Sequence, residues 1–149
     1  MNNFKDAVLA TDDIQSCYRQ GLQGLNENKT KIEVGNTREL DGSVAIDDCT
    51  KTTYPDDNRW DYVFSYKGEA FFMEVHAAHT SEVAVVLRKF QWLIEWLRNK
   101  APKINTLKAK DQPAFYWVQS GGYNILRNSP QERAIVQKGL RPVARIKLN

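Results

Sequence analysis

The chain has 149 residues, enough for one domain with a substantial core, and 42% of them are hydrophobic against 26% charged, which excludes a disordered or fibrous chain. A net charge of +3, from 21 basic and 18 acidic residues, permits a nucleic-acid partner but does not by itself argue for one. No apolar run approaches the roughly 18 residues of a membrane span, and Met1-Asn2-Asn3-Phe4-Lys5-Asp6 has no signal-peptide core; Cys17 and Cys49 then read as free, semi-buried thiols in a reducing cytoplasm.

From about Lys5 to Leu25, apolar residues recur at Val8, Leu9, Ile14, Cys17, Tyr18, Leu22 and Leu25, which is helical spacing. Thr11-Asp12-Asp13 can cap a second start within that segment, dividing it into a short turn and a longer helix. Lys31 to Val34 alternates as a short strand, and Ser43 to Ile46, begun by Asp41-Gly42, suggests another. Asp47 to Asn58 is polar, contains Pro55 and reads as a loop. Asp61 to Tyr66 and Ala70 to Ala77 form the clearest strand pair, a hairpin turning through Lys67-Gly68-Glu69.

The strongest element is a helix from about Ser81 to Lys100, with Val83, Val86, Leu87, Phe90, Leu93, Ile94 and Leu97 on one stripe. Thr80 or Ser81 is the expected cap, with Arg98 and Lys100 in the last turn and Pro102 beyond. A second stripe carries Trp92 and Trp96, four residues apart, which either pack inside the monomer, form a homodimer interface or stack on a ligand. Ala114 to Val118, apolar on both faces, reads as a buried strand broken by Gly121-Gly122. Ser129-Pro130-Gln131-Glu132 opens a short helix that Gly139 stops, and Val143 to Leu148 closes the chain as an edge strand begun by Pro142. The expectation is one α/β domain over residues 1–149, with a mixed sheet, an N-terminal helix, a central hairpin and a long crossover helix.

Glu74 and His76 share a strand face, and Asp61 can meet them across the ladder. A carboxylate within Phe71-Phe72-Met73-Glu74-Val75 costs several kcal/mol unless a cation, His76, a lysine or arginine, or backbone N–H groups compensate it. The structural alternatives are an internal ion pair for Glu74, a strand-start cap for Asp61 and a satisfied structural histidine at position 76. Glu74, His76 and His79 together offer a Zn²⁺ set, although His-x-x-His is not the helical spacing of zinc proteases. A nucleophile elbow and a phosphate-cradling glycine loop are both absent.

The order helix, strands, Asp61 at the start of one strand, Glu74-Val75-His76 on the next, then helix and strand resembles the PD-(D/E)XK, or restriction-endonuclease-like, nuclease superfamily over about Asp6 to Val118. The resemblance implies an αβββαβ core in which Asp61 and Glu74 hold Mg²⁺ or Mn²⁺ against a phosphodiester of nucleic acid. Trp60 stands in place of the motif's proline, although Pro55-Asp56 lies nearby, and His76 stands where the lysine belongs. Lys89 is one candidate substitute, on a helix face shared with Glu82 and Val85 that could look toward the hairpin. Gln119-Ser120-Gly121-Gly122 is a candidate site-lining turn, Asp12 or Asp13 a candidate further acid, and Arg88 or Lys103 a candidate backbone contact. Because the lysine is displaced, the charge modest and the indole stripe large, the first expectation is a degenerate fold without chemistry, serving binding or assembly. The alternatives are a Mg²⁺-dependent phosphodiesterase, with His76 or Lys89 acting on water or phosphate, and an unrelated α/β protein with structural hairpin acids. Such a compact chain also suits a mobile gene-cassette product.

Overall fold

A computed structural model describes residues 2–149. Its elements are α1 (Asn3–Leu9), β1 (Ile32–Val34), β2 (Leu40–Ala45), α2 (Ile46–Thr50), β3 (Tyr62–Tyr66), β4 (Glu69–His79), α3 (Val83–Asn99), α4 (Pro102–Asn105), β5 (Phe115–Asn124), α5 (Pro130–Gln137), β6 (Pro142–Val143) and β7 (Ile146–Leu148). The main sheet runs β2-β3-β4-β5-β6, and β1 pairs with β7 in a separate parallel ribbon. β2, β3 and β4 are mutually antiparallel, whereas β5 lies parallel to β4 and β6 parallel to β5. The fold is therefore mixed α/β, and α3 is the crossover that parallel neighbours such as β4 and β5 require.

The hairpin forms where the residues dictate. Lys67 and Gly68 both have positive φ, 53° and 80°, which is the conformation of a tight two-residue turn. Its two faces are both apolar. On one, Phe64 stacks on Phe71 with ring centroids 5.5 Å apart. On the other, Phe72 stacks on Phe115 at 5.2 Å, and Phe90 of α3 meets Phe115 at 5.0 Å and Trp60 at 5.9 Å. Phe64, Phe71, Phe72 and Trp60 have no exposed surface. Each contributes about 1.5–3 kcal/mol or more by burial, and truncating Phe72 to alanine would cost about 3–5 kcal/mol.

α3 follows its apolar stripe, burying Val83, Val86, Leu93 and Leu97 against the sheet. Neither Thr80 nor Ser81 caps it: Glu82 occupies the cap position without a side-chain bond. Thr80 instead accepts a 2.7 Å hydrogen bond at Oγ1 from the Leu126 N–H, tying the start of α3 to the segment before α5.

The expected helix over Lys5–Leu25 is shorter in the structure: α1 stops at Leu9, and a single 3₁₀ turn covers Asp12–Ile14. Thr11 explains part of this, because its hydroxyl bonds back to the Ala7 carbonyl at 2.8 Å while its backbone turns extended. Tyr18 then packs so closely on Gly42 that a Cβ there would lie 2.4 Å from its ring. The Asp47–Asn58 loop begins as α2. Gly121-Gly122 does not end its strand, since β5 resumes pairing at Tyr123 after a register shift. The last strand divides in two: Pro142–Val143 pairs with β5, and Ile146–Leu148 pairs with β1. Ser129 caps α5 as its sequence implies, accepting from the Glu132 N–H at 3.1 Å, and Gly139 leaves the helix with φ 70°.

The two cysteines are not free thiols. Cys17 and Cys49 form a disulfide, Cα to Cα 6.3 Å, fastening the segment after the 3₁₀ turn to α2. This removes the thiol argument for a reducing compartment. No described helix is long and apolar enough to cross a membrane.

Candidate functional site

The β3–β4 register pairs Tyr62 with Met73. One step further along the ladder Asp61 stands opposite Glu74. The two residues lock each other: the Asp61 N–H donates to Glu74 Oε1 at 3.2 Å, and the Val75 N–H donates to Asp61 Oδ2 at 3.0 Å. Phe72, Glu74 and His76 alternate onto the face that α3 covers. From α3, the Lys89 ammonium donates to Asp61 Oδ1 at 3.3 Å and makes a short contact with Glu74 Oε2. His76 joins through Nδ1, 3.2 Å from Glu74 Oε2, and its Nε2 lies 2.6 Å from Glu82 Oε1.

Asp61, Glu74, His76 and Lys89 thus meet as the sequence led us to expect, and the Glu82–Val85–Lys89 face of α3 does look onto the hairpin. Glu82 as the second partner of His76 was not foreseen. The signal was present in its seven-residue offset from Lys89, two helical turns along the same face.

Burial and charge set the electrostatics. Glu74 is fully buried, and the Asp61 and Lys89 side chains keep only 19% and 15% exposure. Burial, followed by repulsion from Glu74, pushes the Asp61 carboxyl up to about 6 although Lys89 opposes the shift. Burial alone would lower the Lys89 ammonium, but attraction to Glu74 and Asp61 outweighs it and leaves Lys89 raised. Hydrogen bonding to Glu74 raises His76, helped by Glu82 and against partial burial. Three carboxyl groups, those of Asp61, Glu74 and Glu82, face two basic groups, those of Lys89 and His76.

The cluster offers carboxylate oxygens, the donor type a hard divalent cation takes. Asp61 Oδ1, Asp61 Oδ2 and Glu74 Oε1 each accept one hydrogen bond, leaving each a further acceptor position. Asp61 also lines a cavity of about 200 Å³ with Asn26, Ala45, Asp47, Asp48 and Tyr62. The Zn²⁺ set is not formed: His79 is exposed beyond the cluster, and among the described residues no three or more His, Cys, Asp and Glu side chains are arranged to hold a metal.

The remaining expected site residues lie elsewhere. Asp13 accepts from the Tyr54 hydroxyl at 2.5 Å and from Trp96 Nε1 at 3.0 Å, and so adds no acid beside Asp61. Gln119 to Gly122 are strand residues, with Gln119 paired to His76. Arg88 borders a different concavity with Asp56, Gln91 and Trp92. Trp92 and Trp96 stack at 5.7 Å, but Trp96 is buried within the monomer. Trp92 is half-buried, edge-on to Tyr54 and bonded through Nε1 to Asp57 at 3.0 Å. Of the three alternatives for this stripe, packing inside the monomer describes Trp96, and the loop after α2 packs on Trp92 through Tyr54 and Asp57. No protein-family model, no curated protein sequence and no solved structure matches the chain.

Proposed function

We propose that the protein is a divalent-metal-dependent phosphodiesterase acting on nucleic acid, rather than a fold emptied of its chemistry. One observation carries this reading: Lys89, reaching in from α3, bonds both Asp61 and Glu74 and so supplies the ammonium that His76 leaves missing on the strand. The order helix, three antiparallel strands, helix and parallel strand supports it, being the order of the nuclease-like core.

Asp61 and Glu74 would hold Mg²⁺ or Mn²⁺, which when bound supplies Lewis-acid stabilisation of the phosphoryl charge and a more acidic water. Backbone N–H groups and Lys89 orient the two carboxylates toward one another. Lys89 keeps its proton, since both acids raise it, and its third N–H would be the one to reach a phosphoryl oxygen. His76 is clasped between Glu74 and Glu82, whose hydrogen bonds favour its protonated form, and Glu82 fixes its ring.

A second reading is favoured by the full burial of Glu74: the cluster is a structural ion-pair network in a binding or assembly protein. Cleavage of labelled single- and double-stranded DNA and RNA with Mg²⁺ or Mn²⁺ separates the two. We expect metal-dependent cleavage, reduced about 100-fold or more in Lys89→Met and Asp61→Asn variants that still melt cooperatively. A wild type that cleaves none of these substrates and binds no metal by calorimetry overturns the enzymatic reading.

A further inference from the structure

The basic residues are unevenly placed along the chain. After Ile125 come six of the 21 basic residues, Arg127, Arg133, Lys138, Arg141, Arg145 and Lys147, but only one of the 18 acids, Glu132. The chain up to Ile125 is therefore net acidic, and the overall positive charge belongs to the β5–α5–β6 end.

Two of these side chains converge. Arg127, between β5 and α5, and Arg141, just before β6, line one concavity of about 330 Å³ with Gln119, Tyr123 and Pro142. Both arginines are exposed, and neither makes a salt bridge among the described residues. The acid on this wall, Glu132, is committed locally, accepting from the Tyr123 hydroxyl and from the Asn128 N–H at 2.9 Å. That leaves two planar guanidinium forks over a space large enough for a sugar–phosphate unit, the geometry suited to bidentate contact with phosphate oxygens. The concavity is close to the acid cluster in the fold. Gln119 on its wall is the β5 partner of His76 on β4, one strand spacing of about 5 Å, and Asp61 on the far side of β4 lies a further spacing along the sheet.

We infer that the Arg127–Arg141 concavity is the docking subsite for the phosphodiester backbone of a nucleic-acid strand, holding it beside the Asp61–Glu74–Lys89 cluster. This rests on the phosphodiesterase reading for the identity of the polyanion. The division of labour follows from charge: the cavity at Asp61 is walled by Asp47 and Asp48 and repels a bare strand, whereas the β5–β6 end attracts it.

The test separates binding from cleavage. Anisotropy of a fluorescein-labelled 20-nucleotide single strand is measured in EDTA over a salt series, for wild type, Arg127→Ala/Arg141→Ala and a Lys29→Ala/Lys31→Ala control. The expected result is about tenfold weaker binding by the arginine double variant, with a log–log salt slope smaller by about 1.4 (~0.7 per lost phosphate contact), and near wild-type binding by the control. The Arg127→Lys/Arg141→Lys variant, which keeps both charges, should recover most of the loss. Wild-type binding that the arginine pair leaves unchanged, or no wild-type binding at all, overturns the docking subsite. Cleavage by the wild type, assayed separately with metal and lost in Lys89→Met, would still uphold the phosphodiesterase reading in either case.

Discussion

At the scale of single residues, Asp61 connects the site to stability. Its carboxyl stands near 6 against a usual 3.8, chiefly through burial and then through Glu74. The folded protein therefore binds this proton more tightly than the unfolded chain does. Stability from Asp61 is complete below about pH 4 and is lost as pH rises toward 6, costing up to about 3 kcal/mol once the carboxylate is charged. His76, raised above its usual 6.5, acts in the same direction at higher pH: its contribution is present below 6.5 and is lost as pH climbs through the raised value. The metal-free protein should accordingly melt at a lower temperature at pH 8 than at pH 5, and Asp61→Asn should flatten the part of that slope between pH 4 and 6. Millimolar Mg²⁺ should recover more melting temperature at pH 8 than at pH 5, where Asp61 holds a proton. Calorimetric scans across pH with and without Mg²⁺ check this; a wild-type profile that rises from pH 5 to pH 8 contradicts the assigned shift.

At the scale of elements, the sequence was most legible where one pattern dominated. The β3–β4 hairpin and α3 announced themselves through turn residues and an unbroken apolar stripe, so the strand acids and Lys89 could be assigned to facing surfaces. α5 was equally plain, because Ser129, Pro130 and Gly139 each perform a local task. Removing the cap with Ser129→Ala should cost about 1 kcal/mol by thermal or urea unfolding, while a change within error would show that Pro130 and packing alone fix the helix start. The N-terminal segment was misread because its apolar periodicity reports only that residues turn inward. Of that stripe Val8, Ile14 and Leu25 are buried and Leu9 is exposed, and the burial comes through a short helix, 3₁₀ turns and irregular chain rather than one continuous helix. What decides between these is tertiary: the seating of Tyr18 on Gly42 and the crossing of Arg19 to Ser43, where backbone N–H groups donate both ways at 3.0 and 2.9 Å. The Trp92–Trp96 stripe was visible, but its covering was not, because Tyr54 and Asp57 lie 35 or more residues away in sequence.

At the scale of the whole molecule, the disulfide is the covalent feature that sequence reading missed, since two cysteines separated by 32 residues carry no spacing signal. Its place gives it a wider role. Cys49 lies on α2, and α2 begins at the end of β2 and carries Asp47 and Asp48 into the cavity beside Asp61. Cys17 lies in the irregular stretch that has few hydrogen bonds of regular structure to hold it. Closing a loop of this length removes chain entropy from the unfolded state worth about 3–4 kcal/mol, if native strain is small. For a chain of this size that corresponds to roughly 10 °C in melting temperature. Wild type treated with a strong reductant should therefore melt about 10 °C lower than the oxidised form, and Cys17→Ser/Cys49→Ser should match the reduced protein and ignore the reductant. The loss should be local first: hydrogen exchange ought to quicken over residues 12–25 and α2 while β4 and α3 stay protected, because their core contacts do not depend on the cross-link. Equal melting temperatures for oxidised and reduced wild type would show that the N-terminal layer is held by packing alone, with the sulfur pair adding nothing to its stability.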